Sequence, residues 1–117
     1  MLEPGRERDA LIAERVMGLA VEIMPDGRWE CGNPIGLGGA FPLPCYSTDD
    51  DDAAWAVVRE MWEREWDLAM EVHSRSDGDL YWISITSRLD GTGGCVAKPT
   101  FAHAVCAAAL RALGVEV

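Results

Sequence analysis

The spacing of apolar residues changes several times along the chain, and each change marks an element. Over residues 6–19 it is helical: Ile12, Val16 and Leu19 form an i, i+4, i+7 stripe that Leu11 and Ala13 widen. Asp9 suits the start of this helix and Gly18 its end. Residues 21–23 alternate and begin a strand. Pro25-Asp26-Gly27 is a turn, and residues 28–31 return as the second arm of a hairpin. Residues 32–44 hold four glycines and three prolines, which excludes a regular helix or a central strand. This stretch is expected to cross the domain as a loop tacked down by Ile35, Leu37 and Phe41.

Helical spacing returns over residues 50–66. Trp55, Val58, Trp62 and Trp66 fall on one side, flanked by Ala54, Val57 and Met61. The tryptophan side is expected to face the core or a subunit interface. Ser47, Thr48 or Asp49 is expected to cap the helix, with the acidic run after it set against the positive end of the helix dipole. Residues 68–74 and 80–86 then alternate on either side of Asp77-Gly78, a favoured hairpin turn. Trp82 lies on the face opposite Ile83 and Ile85. Residues 90–94 read as a second flexible loop, and Val96-Ala97 as a short extended stretch. Pro99 or Thr100 opens a last, alanine-rich helix that Gly114 closes. Phe101, Val105, Ala108 and Ala112 give it one stripe; Ala102, Cys106, Ala109 and Leu113 give it another, so it is expected to be buried. Helices interspersed with antiparallel pairs predict an α+β domain, one antiparallel β-sheet packed with three α-helices and spanning residues 1–117.

Charge narrows the function classes. Twenty acidic residues against ten basic ones give a net charge of −10, which opposes direct binding of nucleic acid or of an anionic membrane. No apolar run approaches the roughly 20 residues of a membrane span. The first residues lack the pattern of a signal peptide, so a cytoplasmic location and four reduced thiols are expected.

Several residues carry candidate chemistry. His103 and Cys106, three apart, could join His73, Cys31 or Cys95 around a metal ion, but no Cys-x-x-Cys pair supports this. Core packing of Cys106 is the preferred reading, with no metal and no cofactor. Cys95 follows two glycines as some nucleophiles do, yet no motif surrounds either histidine. The aspartates 49–52 share one exposed helix start rather than the contrasting environments of a catalytic pair. The glycine segments 36–39 and 91–94 could offer backbone N–H groups to a phosphate, with Arg28 near the first and Arg88 and Lys98 beside the second. Trp29 and Tyr46 could stack on a nucleobase.

Three blocks taken together resemble the phage alpha-beta-alpha (ABA) sandwich domain family of small phage and prophage proteins. They are residues 9–18, then Tyr46-Ser47-Thr48-Asp49 with Ala53-Ala54-Trp55 and Val57-Val58, and finally residues 104–114. The chain departs from the family pattern at Asp50-Asp51-Asp52, where a single apolar residue is usual. The resemblance implies a sheet between helices, an α/β/α sandwich, and a phage setting inside a host cell. It implies no catalytic residues.

The expected function is therefore that of a non-enzymatic, phage-encoded binding protein that antagonises host antiviral defence. It would sequester a small nucleotide signal through a ligand-binding set of Arg28, Trp29, Tyr46, Arg88, Gly93, Gly94 and Lys98, in a pocket that a homo-oligomer could share. The alternative partner is a host defence protein with a basic groove. That groove would be met by nine acidic residues between Asp49 and Glu71, which mimic nucleic-acid charge. A third reading is a phage accessory protein with no role in defence.

Overall fold

The computed structural model describes residues 5–32, 40–47 and 51–115. Helix α1 (Arg6–Leu11) runs into a π-helical segment, Ile12–Val16, where Met17 N–H donates to the Ile12 carbonyl at 3.0 Å. The widened turn carries Ile12, Ala13 and Val16 into the core together, as the stripe predicts. Gly18, with φ +71°, ends the helix in a backbone conformation that β-carbons disfavour.

Strands β1 (Ala20–Ile23), β2 (Trp29–Gly32) and β3 (Phe41–Pro42) form a small antiparallel sheet in that order. The expected hairpin is present. The glycine- and proline-rich stretch nevertheless supplies β3, an edge strand, where Pro42 is tolerated because one side of the strand needs no donor. Phe41 does not tack this stretch down: it is exposed, and Leu43 is the residue buried there. Ile35 and Leu37 lie outside the described residues.

Helix α2 (Asp51–Glu63) follows, then β4 (Trp66–Arg75), β5 (Gly78–Ser87), β6 (Gly93–Lys98) and helix α3 (Phe101–Ala112). Strands β4, β5 and β6 form a second antiparallel sheet in sequence order. The single sheet expected from sequence is thus two three-stranded sheets among the described residues. The hydrogen-bonding edges of β2 and β5, the central strands, are each taken by their own neighbours.

Helix α3 is the centre of the core. It touches β5, β6, α2 and the π-helical segment, and Phe101–Leu110 is buried along it except at His103. Thr100 caps it, its side-chain oxygen accepting from His103 N–H at 3.2 Å. Ile83, Ile85 and Val96 of the larger sheet face this helix. The architecture is an α+β sandwich, as expected.

Two corrections concern α2. It presents Ala54, Val57 and Met61 to the core, while Trp55 and Trp62 are 51% and 58% exposed. The face with alanine, valine and one unbranched methionine packs against the alanine-rich α3, which leaves the indoles outside. The tryptophans are displaced to the next stripe. Ser47, expected as a cap for α2, turns elsewhere: its hydroxyl and its N–H both donate to Asp9 Oδ1, at 2.7 and 2.8 Å. The other Asp9 oxygen accepts from Arg6 at 2.8 Å, and Arg6 also donates to the carbonyls of Leu43 and Pro44 at 2.9 Å. The other two proposed caps, Thr48 and Asp49, lie outside the described residues.

Candidate functional site

The structure separates the seven residues expected to bind a ligand. Arg28 and Trp29, at the start of β2, line one depression of about 330 Å³ with Arg6, Gly27, Glu30 and Pro42. Arg28 is already engaged there, its Nε on Asp26 at 2.6 Å and its Nη1 on Glu30 at 3.5 Å. Tyr46 is 3% exposed and offers no ring face for stacking. Burial pushes its phenol up to about 12. Gly93 and Gly94 belong to β6 rather than to a loop, which is a correction with a steric cause. A Cβ on Gly93 would overlap the Ile85 carbonyl oxygen, and one on Gly94 would meet the Arg111 side chain. Lys98 closes β6 opposite Tyr81. Arg88, just past β5, stacks its guanidinium 4.5 Å from the centre of the Trp62 ring.

That last contact leads to a different site. Trp55, Val58, Arg59 and Trp62 lie on one flank of α2, and with Met61, Trp66 and Leu68 they enclose an apolar groove of about 400 Å³. Its size falls within the roughly 300–1,000 Å³ usual for small-molecule pockets. Helix α2 supplies one wall at helical spacing, and the first residues of β4 supply the floor. Trp55 is braced by Phe101 of α3, ring centres 4.9 Å apart. Trp62 is braced by Arg88, which also donates to the Trp62 carbonyl at 2.6 Å and pairs with Asp67 at 3.3 Å. Arg59 is exposed at the rim and forms no ion pair among the described residues. The groove thus combines broad aromatic faces with one guanidinium that no carboxylate among the described residues has claimed.

From sequence all three of these tryptophans, Trp55, Trp62 and Trp66, are expected in the core or at a subunit interface, and Arg59 is not singled out. The sequence holds two adjacent apolar stripes on this helix, Ala54-Val57-Met61 and Trp55-Val58-Trp62, and the assembled fold buries the first and leaves both tryptophans of the second exposed.

The candidate thiols and histidines have other places. Cys106 is buried, its S–H directed to the Tyr46 carbonyl at 3.0 Å, and burial pushes the thiol up. His73 lies against Glu71 and the edge of Trp82. Cys95 lines a shallow depression with Ala69, Glu71, Trp82 and Ser84 on the open face of the larger sheet. Among the described residues, no three His, Cys, Asp or Glu side chains gather as a metal site would require.

The profile of the Phage ABA sandwich domain matches residues 10–110. The chain belongs to the phage ABA sandwich family. The match covers α2, the larger sheet and most of α3, so the groove lies within the ABA domain. The structure also resembles the 2.0 Å crystal structure of a phage protein from Bacillus cereus ATCC 14579. The TM-score is 0.72 at 23% sequence identity, over 100% of this chain and 93% of that one. At that identity the likeness is one of fold. No curated protein matches this ABA-domain chain. No helix among its described residues is long and apolar enough to cross a membrane.

Proposed function

We propose that this ABA-domain protein is a non-enzymatic, phage-encoded binding protein that takes up a planar, anionic small molecule of the nucleotide class in the α2–β4 groove. By sequestering such a signal inside the host cell it would antagonise antiviral defence. One observation carries the reading: Trp55, Trp62 and Trp66 surround a groove whose rim holds Arg59. A base can stack on an indole whatever its sequence identity, and a guanidinium can take a phosphate bidentately. In a chain of net charge −10, an arginine with no ion pair among the described residues offers an incoming anion a positive charge not already spent on a carboxylate.

The test is calorimetry and thermal shift against cyclic dinucleotides and ADP-ribose derivatives. Stacking is worth about 1–3 kcal/mol per base, so Trp62→Ala should weaken a bound ligand by roughly 5- to 150-fold. Arg59→Gln should weaken phosphorylated ligands more than the matching nucleosides. No binding to any of these compounds would remove the proposal. Binding instead to a basic host protein, lost on neutralising Asp51 and Asp52 and steeply reduced by salt, would favour the charge-mimic reading.

A further inference from the structure

Strand β4 is ten residues long and forms one edge of the larger sheet. Its pairing with β5 runs without a break from Trp66↔Ser87 to Arg75↔Gly78. Neither a proline nor a bulge interrupts β4, and its exposed charged side chains, Asp67, Glu71 and Arg75, all lie on its odd-numbered face. The direction of its free hydrogen-bonding groups follows from one contact. Arg88 N–H donates to the Glu65 carbonyl at 3.0 Å, so position 65 is a hydrogen-bonded position toward β5. Antiparallel ladders alternate, so the odd residues of β4 turn their backbone groups toward β5. Trp66, Leu68, Met70, Val72 and Ser74 turn theirs toward the open edge. Two of these also have exposed apolar side chains, Met70 at 40% and Val72 at 49%.

From this edge we infer that the protein dimerises by antiparallel pairing of β4 with β4 of a second copy, centred on Met70. The register is selected by charge. With Met70 on the twofold axis, Asp67 lies opposite the partner's His73 and Glu71 opposite the partner's Ala69. On the other face Leu68 meets the partner's Val72, and Trp66 meets the partner's Ser74. Centring on Glu71 instead would set two glutamates against each other, and centring on Ala69 would set Asp67 against the partner's Glu71. Like charges directly opposite are destabilising. The result is a continuous six-stranded sheet, and the partner's Val72 and Ser74 extend the floor of the groove beside Leu68 and Trp66. This inference does not depend on a ligand.

Light scattering on the full chain at micromolar concentration should give twice the chain mass. Met70→Lys and Val72→Lys alter side chains that are already exposed, and each should give a folded monomer by circular dichroism. The register is read by cross-linking, with the exposed Cys45 and Cys95 replaced by serine. A hydrogen-bonded antiparallel pair brings its Cα atoms to about 5.5 Å, within disulfide reach. Met70→Cys should therefore cross-link to itself on mild oxidation, and Glu71→Cys should not. A monomeric mass for the parent chain overturns the inference. So does a dimer that survives both lysine variants, or one that cross-links through Glu71→Cys rather than Met70→Cys.

Discussion

Asp9 and Ser47 are 38 positions apart in sequence and share two hydrogen bonds in the core. Both belong to the blocks that resemble the phage family, and in sequence Ser47 looks like a helix cap and Asp9 like a first-turn acid. A carboxylate 1% exposed is stable in the interior only with donors on its oxygens, and here Ser47 and Arg6 provide them. Next to this cluster lie three acids that burial holds in their protonated form, Cys31, Tyr46 and Cys106. In the unfolded chain the thiols titrate near 9.0 and the phenol near 10.0, while all three are raised in the fold. Above about pH 9 the unfolded state therefore binds fewer protons than the native state, and stability falls as pH rises. The melting temperature should be level from neutrality to about pH 8.5 and then decline toward pH 11. Cys106→Ala and Tyr46→Phe should each flatten that decline, which a pH series of thermal melts would measure.

Among the elements, β6 makes the sharpest demand on its residues. Gly93 sits against the Ile85 carbonyl, a backbone atom that cannot swing aside, whereas the Gly94 position is bounded by the inner carbons of the Arg111 side chain, Cβ, Cγ and Cδ. Overpacking costs about 1–3 kcal/mol, so Gly93→Ala should reach that range in urea denaturation. Gly94→Ala should also cost stability, because turning Arg111 moves its Cγ and Cδ at the expense of its 3.0 Å bond to the Cys95 carbonyl but leaves its Cβ in place. This crowding also explains what sequence could reveal. Asp77-Gly78 and its flanking alternation announced the β4–β5 hairpin, and the alanine stripes of α3 announced a buried helix, because local chemistry specifies both. A Gly-Gly pair is locally ambiguous, since it suits a loop as well as a strand crowded by a neighbour. The tryptophans of α2 were equally ambiguous. Their outward placement depends on how closely α3 approaches, a tertiary fact that the spacing of residues 54–62 does not contain.

For the molecule as a whole, the two sheets differ in how deeply they are anchored. Ile83 and Ile85 of β5 are fully buried beneath α3, while three of the four residues of β1 are exposed and β3 is two residues long. Local opening follows buried apolar contact, so the two sheets should exchange their amide hydrogens at different rates. The central amides of β5 should exchange only with global unfolding, and those of β1 and β3 through a cheaper local opening. Hydrogen-exchange mass spectrometry would show this as early labelling of residues 20–23 and 41–42; equal protection across both sheets would contradict it. The same hierarchy limits how much of the ligand reading was legible. Glycine segments and scattered cations pointed to capture of an anion, but the position of the groove emerged only once α2, β4 and α3 were assembled.

The guanidinium of Arg88 rests on the indole of Trp62 and is held there from both ends, by the carbonyl beneath and by Asp67 beside it. One wall of the groove is therefore set before any guest arrives. A flat molecule sliding in would find a ready-made shelf, and little rotational freedom of that indole would remain to be lost on contact. Encounter rather than rearrangement would then govern how quickly the groove fills.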